Sequence, residues 1–202
     1  MTLGTVRLQA VADITGRKKE SIRNMQAQGI APWPDDADRD AAQRRYDGAM
    51  ALALVLVDTL MKQGCSLEVA GECVRDHYAV IGLFLDEVEN HQPLTPRFVA
   101  YIAHAVEDSL TGTAWEPVMV AGTSGTEDEI NGIIGEEFAS AGKLNATRDG
   151  RTTRRHLGGL RVASMSIPEA YRLLRMRAKA EGYVVDGRAI LKLSDKREGE
   201  EG

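Results

Sequence analysis

The chain has 202 residues, of which 43% are hydrophobic, 27% charged and only 5% aromatic. That is enough apolar material for a packed core and excludes an intrinsically disordered chain. No run of about 18 apolar residues occurs, so no transmembrane helix is expected. The first residues lack the long apolar stretch of a signal peptide. Two cysteines, Cys65 and Cys73, exclude a multi-bridge framework and fit a reduced, cytoplasmic protein. The net charge of −5 hides a sign pattern: residues 1–65 carry net +1, 66–137 net −12 and 138–202 net +6. A polyanion contact is therefore expected at the two ends and not in the middle.

In chain order, Leu8, Val11, Ala12 and Ile14 have helical spacing over 8–15, and Gly16 stops the segment. Residues 18–28 form a second short helix with Ile22 and Met25 inward and Gly29 as its natural C′ residue. The Pro- and Asp-rich run from Ala31 to Asp40 reads as a loop or turn. Residues 47–63 make a strongly apolar helix ended by Gly64, and Ser66 caps the next one.

In that next helix Leu67, Ala70, Val74, His77, Ile81, Phe84 and Val88 are spaced 3, 4, 3, 4, 3 and 4, a heptad seam. The seam serves either a dimer interface, built partly on Ile81, Phe84 and Val88, or the core of its own domain. Thr95-Pro96 opens a further helix through about residue 110. Residues 115–121 read as a strand, and Thr126 with Glu129 forms a capping box for a helix to about residue 140. The Gly- and Arg-rich stretch 141–158 reads as a mobile loop, 160–166 as a strand, and Ser166 with Glu169 as a capping box for helix 167–181. Residues 183–185 read as a short strand and 194–202 as a disordered tail.

The fold class expected is α+β, mostly α, with a small C-terminal α/β module. The expected divisions are 1–75, a helical connector with possible dimerisation at 76–112, the module at 113–193, and the tail.

Function points to the first two helices. Joined by a tight turn at Gly16, they make a helix-turn-helix, in which the second helix is braced by the first and fits the major groove. Its outward residues are expected to be Arg17, Lys18, Lys19, Ser21, Arg23 and Asn24. Arg and Lys neutralise phosphates, Ser21 can bond one, and Asn24 can read adenine. The pattern alone also fits any αα-hairpin with a glycine turn.

Residues 6–30, however, resemble the winged helix-turn-helix of MerR-type regulators. The likeness rests on Leu8, Val11-Ala12, Thr15-Gly16, Ile22-Arg23, Gly29-Ile30 and Pro32. It runs on through Arg45-Tyr46, similar to the family's Arg-x-Tyr at the end of the wing, and through Gly64-Cys65-Ser66-Leu67-Glu68-Val69. It covers about residues 6–75. The resemblance implies a winged helix-turn-helix, a double-stranded DNA partner, a homodimer, and further contacts from Arg44, Arg45 and Tyr46. The chain departs from the family at Lys18, Glu20, Asn24 and Met25. Its wing segment is acidic at Asp35, Asp36, Asp38 and Asp40, which disfavours phosphate contact there.

Elsewhere the signals are weaker. Arg151, Arg154 and Arg155 form a basic cluster that can clamp a second stretch of nucleic acid or dock a protein partner. Cys73 and His77 could share a helix face but complete no metal site, so neither a metal nor another cofactor is expected. Gly122 and Gly125 sit between a strand and a helix without the ending of a phosphate-binding loop, and read as an ordinary capped turn. No catalytic constellation is recognisable, so the chain is not read as an enzyme. The reading is a sequence-specific DNA-binding protein, a transcriptional regulator. The alternatives are a phage or mobile-element DNA-handling protein, such as a small terminase subunit or recombination accessory factor, and an adaptor that no longer binds DNA.

Overall fold

A computed structural model describes residues 4–34, 44–108, 115–141, 147–148, 151–152 and 155–193. Residues 35–43 of the segment expected to form a wing, together with Arg154 and residues 194–202, lie outside the described residues. The fold is α+β and mostly helical, as composition and periodicity predicted.

Helix α1 (Leu8–Thr15) and α2 (Lys19–Ala27) form at the expected places. Both end in Schellman turns. Gly16 (φ 72) lets Arg17 N–H reach Ala12 O at 3.0 Å, and Gly29 (φ 68) lets Ile30 N–H reach Met25 O at 2.9 Å. Only glycine adopts this left-handed backbone without strain. Helix α3 (Gly48–Lys62) starts at Asp47, whose carboxylate accepts from Met50 N–H at 2.9 Å. Every residue from Ala51 to Val57 is buried, as befits a helix that is apolar all round. It is the central post on which α1, α4, α5 and α7 pack.

The heptad seam is not one helix. His77 leaves helical geometry (φ −107, ψ 18), ending α4 (Leu67–Asp76) and opening α5 (Tyr78–Glu89). Its Nδ1 lies 2.9 Å from Ser124 Oγ, which pins the corner to strand β2. Ala70, Val74, Ile81 and Phe84 are then buried within the chain's own core. The dimer interface expected on Ile81 and Phe84 is therefore not available, because neither side chain reaches the surface.

The helix expected after Pro96 is instead strand β1 (Phe98–Asp108). It pairs antiparallel with β2 (Trp115–Gly125) on one side and β5 (Arg155–Ser166) on the other, giving a three-stranded sheet in the order β2-β1-β5. Sheet pairing on both sides replaces the backbone partners that a helix would have supplied internally, interrupted by register shifts at Ala100/Ile102 toward β2 and Ala105/Val106 toward β5. The loop expected over 141–158 is also overturned where it is described. Residues Thr147–Arg148 (β3) and Arg151–Thr152 (β4) pair with each other, and β5 begins at Arg155.

Helix α6 (Glu127–Ala141) carries its capping box: Glu129 Oε2 accepts from Thr126 N–H at 2.7 Å and from Thr126 Oγ1 at 3.0 Å. Helix α7 (Ile167–Ala180) opens at Ser166, whose Oγ accepts from Glu169 N–H at 3.4 Å. Strand β6 (Tyr183–Asp186) turns at Gly187 (φ 55) into β7 (Ala189–Lys192), which sequence reading missed. Glycine at the first turn position fits a two-residue type II′ hairpin.

The turn of the hairpin is anchored to the helices. Gly48 N–H donates to Arg188 O at 2.7 Å, and a side chain at Gly48 would collide with Gly187 O. Arg188 clamps α5, its guanidinium bonding Asp86 and Glu89 (3.1 Å) while Gly82 O accepts at 3.2 Å. These carboxylates hold its pKa above the ordinary value, Asp86 first. The buried cluster runs from Val6 to Ile190, so the C-terminal helix and hairpin share one core with the first helices.

Candidate nucleic-acid interface

The burial pattern of α2 defines its free face. Ile22 and Met25 are fully buried, whereas Glu20, Arg23, Asn24 and Ala27 are exposed. Spacing of i, i+3, i+4 and i+7 places those four on one stripe. Lys18 and Arg45 are also exposed, and Lys19, Ser21 and Arg44 are half-buried.

Two residues expected to face nucleic acid do not. The Arg17 side chain is only 8% exposed and lies 3.7 Å from Asp58 on α3. Its Nη atoms donate to the sulfurs of Met25 (3.6 Å) and Met61 (3.4 Å). Burial lowers its pKa, an effect that Asp58 opposes. Arg17 is the first residue past the Schellman turn, and that turn aims it back at α3.

Tyr46 is 1% exposed. It forms an isolated antiparallel bridge with Val6, and its hydroxyl donates to Gln26 Oε1 on α2 at 3.2 Å. Burial raises its pKa. Both side chains hold α2 in place from behind.

Three further supports were missed in the sequence. Trp33, in the Pro-rich loop, is 1% exposed and packs edge-on against Tyr46 with ring centroids 6.0 Å apart. An aromatic residue between two prolines was the available signal. Arg75 Nη1 donates to Gly29 O at 2.5 Å, closing the C-terminus of α2 against α4. Gly71 permits that approach, since a Cβ there would sit 2.5 Å from Ile30 O. Arg177 on α7 donates to Thr15 O at 2.9 Å, closing the C-terminus of α1. Positive side chains at helix C-termini complement the dipole. No local sequence signal pairs residues so far apart.

The second basic cluster is divided. Arg151 lies in β4 opposite Arg148, and Arg155 opens β5 opposite Asp108.

The remaining constellations resolve into packing. Cys73 is buried, its Sγ donating to Ala100 O at 3.5 Å. Burial pushes this thiol up to about 12. Gly122 brings β2 down onto it, since a Cβ there would meet Cys73 Sγ at 2.5 Å. The space beside Gly125 is taken by the Glu129 carboxylate.

No protein-family model matches the chain, and no curated protein matches it. Among the described residues, no helix is long and apolar enough to cross a membrane.

Proposed function

We propose that this chain is a sequence-specific DNA-binding protein, a transcriptional regulator of MerR-like type, with α2 as its recognition helix. The observation that carries the proposal is the exposed stripe Glu20–Arg23–Asn24–Ala27 on a helix whose opposite face is fully buried. Each member has a base-edge or backbone chemistry. Asn24 can bond adenine bidentately, Glu20 can accept from the cytosine amino group, and Ala27 can pack on a thymine methyl. Arg23, with Lys18 and Lys19 near the helix start and Arg45 beside the bridge, supplies phosphate neutralisation. The resemblance of residues 6–75 to MerR-type domains adds support from the turn glycines and the Val6–Tyr46 bridge.

Affinity selection of random duplex DNA with the purified chain tests this reading. A recurrent enriched motif is the expected result, bound more tightly than bulk DNA at a fixed salt concentration. Recovery of no motif, with equal affinity for all duplexes, would overturn it.

A further inference from the structure

A groove of about 780 Å³ runs between α5, α7 and β6, on the far side of α7 from the Arg177 contact with α1. Its floor is apolar. Phe84 and Tyr171 meet edge-to-face with centroids 5.5 Å apart, flanked by Val88 and Val185. The Tyr171 hydroxyl is turned away, accepting from Gly187 N–H at 2.9 Å. Three large apolar side chains on the rim remain open to solvent: Leu94 is 48% exposed, Met176 57% and Leu193 39%. Exposed apolar residues clustered at a concave site mark binding surfaces. The α7 wall spans Pro168 to Lys179, roughly 16 Å at about 1.5 Å per residue.

The charge on this wall is uneven. At the N-terminal end of α7, Arg172 is neutralised by Glu169, with Nη2 to Oε2 at 2.9 Å. At the C-terminal end, Arg175 and Lys179, one turn apart, have no ion-pair partner among the described residues. Arg175 is held over the Tyr171 ring at 5.9 Å from its centroid. Across the groove His91 (φ 52) takes the left-handed position that closes α5, with Gln92 N–H reaching Glu87 O at 2.9 Å. The same turn uses Gly16, Gly29 and Gly64 after α1, α2 and α3. A site that favours glycine thus holds an imidazole at the groove's edge.

We infer that this groove binds an amphipathic carboxylate, with its apolar chain against the exposed Leu94, Met176 and Leu193 side chains above the buried Phe84–Tyr171 pair and its headgroup between Arg175 and Lys179. Guanidinium and ammonium groups are strong donors to a carboxylate, and the exposed rim side chains Leu94, Met176 and Leu193 reward an apolar body by area removed from water. This site is independent of whether α2 reads DNA.

Calorimetric titration of the full chain with dodecanoate, dodecanol and dodecylammonium tests the inference. Saturable one-to-one binding is expected, with dodecanoate tightest and dodecylammonium weakest. The double variant Arg175→Glu/Lys179→Glu should weaken dodecanoate by about tenfold or more and leave dodecanol within about twofold. Met176→Asp, at an exposed position, should weaken both ligands while circular dichroism stays unchanged. No saturable binding, equal affinity for dodecanoate and dodecylammonium, or a neutral double variant would each overturn the site. So would a concentration-dependent dimer in sedimentation that Met176→Asp abolishes, since a second copy would then fill the groove.

Discussion

The two sides of α2 carry similar chemistry to opposite ends. On the inner side Arg17, Tyr46 and Trp33 are buried and bonded to sulfur, carboxylate or ring edges. On the outer side Glu20, Arg23, Asn24 and Ala27 stand in solvent. Arg17 and Arg23 are six residues apart in sequence, yet one is structural and the other free to bind. Residue type alone does not assign a role beside the turn that joins α1 and α2; the direction in which the preceding turn releases the side chain does. The comparison predicts that inner substitutions change stability, and outer ones change binding with little effect on stability.

The largest effect is expected at Trp33. Truncation to alanine removes a fully buried indole and the edge contact that orients Tyr46. Large aromatic-to-alanine changes in cores cost about 3–5 kcal/mol. Urea unfolding should show a midpoint shift of that size, and DNA binding should fall only as far as the folded fraction falls. A loss below about 1 kcal/mol would mean that the loop does not brace α2.

The next effect depends on pH and tests the inner framework where α4 meets the sheet. The Cys73 thiol moves from its ordinary 9.0 to about 12 on folding, chiefly because burial disfavours the thiolate. The folded state therefore holds this proton longer than the unfolded chain. Its contribution is fully present below pH 9 and is lost as pH rises through the window up to about 12. The slope approaches about 1.4 kcal/mol per pH unit within that window. The stability gap between the native chain and Cys73→Ala should narrow from pH 9 upward. A gap constant to pH 11 would contradict the burial.

Sequence reading was most accurate where a local rule fixes the backbone. Gly16, Gly29 and Gly64 announce their turns, and Thr126 with Glu129 and Ser166 with Glu169 announce their helix starts. These rules act over a few residues. It failed where distant partners decide. Residues 98–108 become a strand because β2 and β5 pair on either side. The seam from Leu67 to Val88 bends at His77 because Ser124 lies opposite. Spacing cannot see a partner that arrives 47 residues later. The candidate interface was legible in outline, since Ile22 and Met25 fix which way α2 faces. Arg17 and Tyr46 were misplaced because a charge pattern does not reveal Asp58, Met61 or Gln26 as inner partners.

A smaller effect is expected at Arg17 itself. Arg17→Met keeps length and apolar contact with Met25 and Met61 while deleting the charge. Asp58 is not stranded, because Lys62 lies 2.9 Å from it and Asp58 is 29% exposed. Exchange of a buried ion pair for an apolar side chain is often close to neutral. Stability should change by less than about 1 kcal/mol, and the salt dependence of DNA affinity should not change. A reduced salt slope in this variant would return Arg17 to the outer side.

The smallest effect on stability, and the most informative, is expected at Arg23. Its side chain is exposed and makes no ion pair among the described residues. Arg23→Ala should therefore leave stability within about 0.5 kcal/mol. If it contacts phosphate, the variant should weaken specific and non-specific DNA alike and lower the salt slope by about one unit. Asn24→Ala, also exposed, should behave differently. It should leave the slope intact and flatten preference at one base pair, at about 1–3 kcal/mol. Because both positions lie on the same free stripe, loss of folding cannot account for either result. The salt slope separates a charge on the backbone from a hydrogen bond at a base edge. If both variants bind every duplex with native affinity and slope, the outer side of α2 is not a DNA reader, whatever holds its inner side in place.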